Sequence, residues 1–411
     1  MTKGDLFQER VVRVERPSAH FTLLRAPSGD FLGASDNEFA TFDYVDDKAI
    51  WEQVEGSDAY RHVVTGRVLE AESTGSANGC YLRHDDILLG GDATAANEGA
   101  LFSPGHGPAH LPSEYLETLM QNGWVCLPSI LAPEILKELE RVSCTGRWEN
   151  ETYDRSRPPL NETVAVAKTA AEPVSLWLMR QYMQTYDIRL AHSPSFAVLS
   201  KDDGKRNVQG WHSDYPYLWG IANNEGGNRI PTHKVDNLVM GVQRNLCISE
   251  FCKENGATCF KLGTHTRGEG PPEDWGTGVT HRKPGYREAN GLPYKGQDAD
   301  VIEAPAGSYI IYDSRTWHRA GVNRSEHKRA AMLQAVVPMY IMPFMDTSRL
   351  YKDFIHSPLI EELTARERKE LEALMVNKID GPRGKFAITI DEELSELAGK
   401  SESSFTTHPH N

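Results

Sequence analysis

The chain has 411 residues, 44 Lys+Arg against 58 Asp+Glu, and a formal charge of −14 at neutral pH. An acidic chain whose basic clusters are as short as His327-Lys328-Arg329 argues against nucleic acid or an anionic membrane surface as partner. With 39% hydrophobic and 25% charged residues it reads as globular, and no stretch approaches the roughly 18 apolar residues that cross a bilayer. The polar start, Met1 to Arg10, lacks the apolar core of a signal peptide, and the 6 cysteines show no C-x-x-C spacing. They read as buried free thiols, and a cytoplasmic location is expected.

Residues 1–105 show short apolar runs cut by turn residues such as Pro27-Ser28-Gly29-Asp30, and read as a β-rich accessory domain. Ser28-Gly29-Asp30-Phe31-Leu32-Gly33-Ala34 is echoed by Thr65-Gly66-Arg67-Val68-Leu69-Glu70-Ala71 and, more loosely, by Asp85-Asp86-Ile87-Leu88-Leu89-Gly90-Gly91. The echo leaves two readings open, a trefoil-like module or an irregular β extension of the main domain. Residues 101–111, with Pro104, Gly105, Gly107 and Pro108, read as a linker.

A second domain, 106–345, has a different grammar. Helices are predicted over 113–122, stopped by Gly123, from Pro133 with Ile135, Leu136, Leu139 and Val142 on one face, and over 175–187. Strands are predicted at 124–127, 196–199, 238–248, 257–262, 309–312 and 331–338. The result is a mainly β, α+β fold in which helices back a sandwich or barrel. Residues 265–296, rich in Gly, Pro and charge, read as a lid or a binding loop that could close over a pocket with Trp275, His281, Arg282 and Arg287. A helical extension, 346–395, with its helix over 357–376, and a polar disordered tail, 396–411, complete the chain.

The chemistry concentrates at Trp211-His212-Ser213-Asp214. Side chains two apart on an extended strand share a face, so His212 and Asp214 can grip one ion. An H-x-D also arises by chance in a chain with 15 His, so its neighbours matter. His318, just past another expected strand, is the candidate third ligand; two imidazoles and a carboxylate leave three positions of an octahedron open, as in non-haem Fe(II) oxygenases. Arg329, 11 residues on, offers a guanidinium fork for a carboxylate, the partner that the far end of 2-oxoglutarate requires.

With these motifs the sequence resembles the phytanoyl-CoA dioxygenase-like Fe(II)/2-oxoglutarate oxygenases. The resemblance runs from Tyr115-Leu116-Glu117 and Gly123-Trp124-Val125-Cys126-Leu127-Pro128 through Trp211-His212-Ser213-Asp214 and Glu254-Asn255-Gly256-Ala257-Thr258. It continues through Gly263-Thr264-His265, Ala306-Gly307-Ser308 and His318-Arg319-Ala320-Gly321-Val322-Asn323 to Arg329. It implies a double-stranded β-helix, a cupin-like jelly roll, with His212, Asp214 and His318 as iron ligands and Arg329 on the distal carboxylate of 2-oxoglutarate. Fe(II), 2-oxoglutarate and O2 would hydroxylate or otherwise oxidise a C–H bond of a small molecule, releasing succinate and CO2. Arg324 competes with Arg329, and the family spacing favours Arg329. Because Asp214 keeps the carboxylate that related halogenases replace with a small residue, oxidation rather than halogenation is implied.

Two departures stand out: Leu262-Gly263-Thr264-His265 replaces the common Pro-Gly-Ser-His, and Ala320 sits where a hydroxyl residue often helps hold 2-oxoglutarate. His265 reads as structural. Trp211, Tyr215, Tyr217 and Trp219 alternate away from His212 on an unbroken strand, but Pro216 breaks it. Tyr217 and Trp219, beyond the break, are therefore candidates for substrate contact. Without a basic patch for the phosphates of a CoA thioester, a specialised-metabolite substrate is preferred. The competing functions are a catalytically silent cupin-like binding protein and a metal-dependent hydrolase. The accessory β module could serve homo-oligomerisation.

Overall fold

Short runs of β-branched and aromatic residues between Gly, Pro and Asp turns leave the first hundred residues one way to bury apolar surface, which is to pair strands. In the computed structural model, which describes residues 9–35, 38–73, 80–84, 87–88, 101–217, 238–267, 270–275, 284–294, 298–376, 378–381 and 384–387, they do so. The strands are β1 (Glu9–Arg13), β2 (Thr22–Arg25), β3 (Phe31–Ala34), β4 (Phe39–Phe42), β5 (Trp51–Gln53), β6 (Ala59–His62), β7 (Val68–Ser73), β8 (Cys80–His84), β9 (Ile87–Leu88) and β10 (Leu101–His106). β10 pairs with β8 through Leu101 and Phe102 and with β2 through residues 103–106. These pairings close the circuit β2-β5-β6-β7-β8-β10 into a barrel. Its core holds Leu24, Trp51, Tyr60, Leu69, Leu82 and Phe102, and the Trp51 indole N–H donates to the Leu32 carbonyl at 2.9 Å.

Two expectations change here. The expected linker is in fact the strand that closes the barrel, and Pro104 is tolerated because at that point β10 pairs with β2 alone among the described strands. The echoed segments fall on β3, β7 and β9, of which β7 lies in the circuit while β3 and β9 lie off it. Each is the second strand of an antiparallel pair, β2–β3, β6–β7 and β8–β9. The boundary at 105 is also crossed, because β1 pairs in parallel with a strand of the main domain rather than with the barrel.

In the main domain α1 (Pro112–Asn122) ends at Gly123, whose φ of +70° makes the left-handed cap, and leads into β11 (Trp124–Leu127). There follow α2 (Pro133–Ser143), α3 (Val164–Ala170), α4 (Pro173–Met183), β12 (Ile188–Leu190), β13 (Ser195–Leu199), β14 (Val242–Cys247), β15 (Cys259–Lys261), α5 (Tyr286–Asn290), β16 (Ala299–Glu303), β17 (Tyr309–Asp313), β18 (Trp317–Arg319) and β19 (Arg329–Pro338). The larger sheet runs β11-β17-β14-β19-β12, with β13 also on β19, and the smaller runs β1-β16-β15-β18. Alternation on β17 decides which side each residue serves. Ile310 and Tyr312 face Phe260 and Val301 of the smaller sheet, while Tyr309 and Ile311 pack with Leu119, Val174 and Leu178 of the helices. This is the jelly roll: two facing sheets with helices backing the larger one.

The C-terminal segment is no separate appendage. α6 (Ser348–Ile355) and α7 (Ala365–Met375) bury Phe354, Leu371 and Met375 in the helical core, and the hairpin β20 (Lys378–Gly381) with β21 (Gly384–Ala387) follows. The helix expected over 357–376 starts late because Thr364 and Glu367 form a capping box, with a 3-10 turn before it. Arg366 donates to the Ala171 carbonyl at 2.8 Å while its own N–H reaches Ser28 of the barrel at 2.9 Å, and Arg180 pairs with Glu370 at 2.7 Å. α7 therefore clasps barrel to jelly roll. The tail 396–411 lies outside the described residues. All six cysteines are free, and no helix among the described residues is long and apolar enough to cross a membrane.

Candidate metal centre

On β18 the alternation sends Trp317 to an outer aromatic layer with Trp211 and Trp275, and His318 to the space between the sheets. The His318 backbone N–H donates to the His212 carbonyl and the His212 N–H to the His318 carbonyl, each at 3.0 Å. This one bridge sets the two imidazoles side by side, ring centroids 4.2 Å apart. The Asp214 N–H, bound to the Ser314 carbonyl at 2.8 Å, holds the next turn of chain so that its carboxylate meets both rings. Asp214 Oδ2 lies 3.2 Å from His318 Nε2, and Oδ1 lies 3.6 Å from His212 Nε2. One donor atom from each of the three residues falls within 4.8 Å of the others.

The tautomers follow from the partners. His212 Nδ1 lies 2.8 Å from the Gly210 carbonyl and His318 Nδ1 lies 3.0 Å from the Thr316 carbonyl. A carbonyl only accepts, so each Nδ1 carries the hydrogen and each Nε2 presents a lone pair to the centre. The Tyr312 hydroxyl donates to Asp214 Oδ2 at 3.1 Å and accepts from Asn245 Nδ2 at 3.3 Å, which fixes the carboxylate. Burial alone would raise the Asp214 pKa, but His318, His212 and the Tyr312 hydroxyl outweigh it and bring it to about 2. Two imidazole lone pairs and a carboxylate held ionised, on the wall of a cavity of about 310 Å³, suit a divalent transition metal with three positions free.

Arg329 opens β19 on the wall of the same cavity and is buried. Its Nη2 donates to the Gly256 carbonyl at 2.5 Å and its Cζ stands 4.6 Å from the Phe251 ring centroid, while its Nε has no hydrogen-bond partner. Among the described residues no carboxylate lies within ion-pair distance of it. Burial, with a smaller repulsion from Arg206, draws its pKa down to about 10, so it remains a cation at neutral pH. Gly256 has φ +83°, and a Cβ there would come within 2.7 Å of the Asn323 nitrogen; a Cβ on Gly321 would come within 2.2 Å of the Ala257 carbonyl oxygen. The Asn255-Gly256-Ala257 and Gly321-Val322-Asn323 motifs thus pack backbone to backbone, joined by the Asn255–Asn323 bridge, and aim the Gly256 carbonyl at Arg329.

The model of the phytanoyl-CoA dioxygenase family matches residues 120–331, more than half of the chain. The chain belongs to the phytanoyl-CoA dioxygenase family. Uncharacterised proteins of Mycobacterium bovis and Mycobacterium tuberculosis are each 24% identical to it over 162 residues, covering 39% of this chain and 46% of theirs. The chain thus spans about half the length of the curated relatives it matches. Among solved structures, it is similar to the α-ketoglutarate-dependent epimerase SnoN from nogalamycin biosynthesis (TM-score 0.39, 13% identity, 56% of this chain and 83% of that one). It is also similar to HygX from Streptomyces hygroscopicus with nickel and 2-oxoglutarate bound (TM-score 0.39, 15% identity, 57% and 89%). Iron and 2-oxoglutarate are the metal and co-substrate that fit this family member's donor set and its buried arginine.

Other residues of this phytanoyl-CoA dioxygenase family member land elsewhere. Tyr217 is fully buried and does not line the metal cavity; its hydroxyl donates to the Leu238 carbonyl at 3.2 Å and accepts the Met240 N–H at 2.8 Å, which fixes backbone rather than substrate. Trp219 lies outside the described residues, as do His281 and Arg282 of the expected lid. Arg287 is buried and paired with Asp202, so it braces the fold. Tyr215, expected to face away, lines the cavity beside Phe344, because beyond the single His212 bridge the chain is no longer a strand and alternation stops applying. Arg324 is exposed. His265 sits against Gly123, away from the three donors. Ala320 lines the cavity without a hydroxyl, and Gln243, Asn245 and Thr258 are polar side chains on the same wall. Sequence reasoning missed Tyr312 and Asn245. Tyr312 carried one signal, a buried-strand position six before His318; Asn245 carried none, because only the pairing of β14 with β17 brings it near.

Proposed function

We propose that this protein is an Fe(II)/2-oxoglutarate-dependent oxygenase that oxidises a C–H bond of a small molecule, releasing succinate and CO2. His212, Asp214 and His318 would hold the metal, and Arg329 would bind the distal carboxylate of 2-oxoglutarate. The observation that carries this reading is Arg329 itself: a buried guanidinium with no carboxylate partner among the described residues, on the wall of the cavity that holds the three donors. A buried unpaired charge is costly, and it is retained where a ligand supplies the counter-charge. A hydrolase using the same donors would gain nothing from it.

Bound iron would supply the redox chemistry that couples oxidation of 2-oxoglutarate to oxidation of the substrate. The chain's own residues do the rest. Nδ1–H contacts to Gly210 and Thr316 keep both Nε2 atoms free for the metal, and the Tyr312 hydroxyl holds Asp214 in place. Phe251 and Phe260, both buried, shield the site from water. Free, mostly buried thiols suit a reducing cytoplasm, where we place the protein.

The test is anaerobic addition of Fe(II) and 2-oxoglutarate to the purified protein. A weak visible charge-transfer band that fades on admitting O2 while succinate accumulates is expected. No band at saturating iron would overturn the reading.

A further inference from the structure

The metal cavity has a neighbour. His192, Ala197, Leu199 and Ala320 line both it and a larger cavity of about 780 Å³. The floor of the larger one is apolar, with Phe196, Val198, Val208, Pro159 and Leu350. Its rim carries Arg155, Arg157, Arg206 and Arg349. Arg157 is already engaged by Glu162 at 3.3 Å and Asp154 at 3.8 Å. The other three, all exposed, meet no carboxylate within ion-pair distance among the described residues. Two aspartates share the lining: Asp346 accepts the Ser348 N–H at 3.0 Å, and Asp353 lies on α6, four residues beyond Arg349. Three such guanidiniums around one concave space, in a chain of formal charge −14, form a local field of the opposite sign to the molecule's, a basic patch that the sequence analysis does not find because its arginines are scattered over residues 155–349.

We infer that the larger cavity is the substrate pocket of the proposed oxygenase and that it takes an organic anion, an apolar body carrying a carboxylate or phosphate. The apolar body rests on Phe196, Val198 and Leu350. The anionic group meets Arg155, Arg206 and Arg349, whose planar forks match both oxyanions. The oxidisable end crosses the Ala320 wall to the metal, where a small side chain leaves a way through. A neutral or cationic substrate would leave the guanidiniums repelling one another, Arg206 and the nearby Arg329 among them. Met345, exposed and on the same lining, extends the apolar surface toward solvent.

This rests on the oxygenase reading, but binding is measured without turnover, so the two fail separately. The full-length protein, loaded anaerobically with Fe(II) and 2-oxoglutarate, is titrated by calorimetry at low salt with decanoate, decyl phosphate, decanol and decyltrimethylammonium. Decanoate or decyl phosphate, whichever is the better match, should bind at least roughly tenfold more tightly than decanol and the cation. An Arg206→Gln/Arg349→Gln double variant should lose about that advantage, and both substitutions lie at exposed positions that leave the fold intact. Equal binding of decanol and the anions, or unchanged anion binding in the double variant, would overturn the inference. Absence of the charge-transfer band in the wild-type protein would instead sink the oxygenase reading.

Discussion

The closed N-terminal barrel encloses Leu24, Trp51, Leu69, Leu82 and Phe102, while the facing sheets of the jelly roll enclose His212, Asp214, His318, Asn245 and Arg329. Both structures hide most of their strand edges by pairing. Their interiors differ because in the barrel apolar side chains fill the space, whereas in the jelly roll polar groups converge on a cavity whose wall carries the buried cation Arg329, with no carboxylate within ion-pair distance among the described residues. Polar groups placed where an apolar core would be more stable mark the region held for binding. The barrel is a packed scaffold, and the chemistry is expected in the jelly roll.

That contrast can be broken by substitution. Asp214→Ala should abolish the Fe(II)/2-oxoglutarate band and succinate formation while thermal unfolding changes little; a retained band would remove the site from the jelly roll. Leu69→Ala, fully buried in the barrel, should cost about 2–5 kcal/mol of stability by denaturant titration and leave the band of the folded protein intact. Loss of the band without loss of stability would mean that the barrel reaches the site. Arg329→Ala should weaken 2-oxoglutarate binding roughly 10- to 100-fold, the scale of a lost charge-assisted hydrogen bond, with iron affinity measured separately and little changed. Tyr312→Phe should be mildest, weakening iron about tenfold by freeing the Asp214 carboxylate, as an iron titration followed by the same band would show.

The three candidate metal donors were legible because their geometry is partly local. His212 and Asp214 are two residues apart, and the turn of chain that carries them needs only one bridge to present both. The α1 stop at Gly123 and the strands at 124–127 and 195–199 were legible for the same reason, since caps and alternation are written in neighbouring residues. The strand at 101–106 reads as a linker because Pro104 and Gly105 are turn residues by composition, and only β2 lying alongside gives them a ladder. Tyr217 misled through the same gap: Pro216 marks the break, but where the ring goes next is decided by the Leu238 and Met240 backbone.

By itself the sequence determined the class of fold and singled out His212, Asp214, His318 and Arg329, which the structure brings to one cavity, because each reading rests on residue chemistry and short spacing. Tertiary structure alone decided that β1 joins the smaller sheet, that α7 clasps barrel to jelly roll, that Tyr312, bonded by Asn245, holds Asp214, and that a second cavity opens beside the first, with three arginines that meet no carboxylate among the described residues. Those contacts join residues far apart in the chain. Which of them form is fixed by how whole sheets and helices pack, a property that no local pattern records.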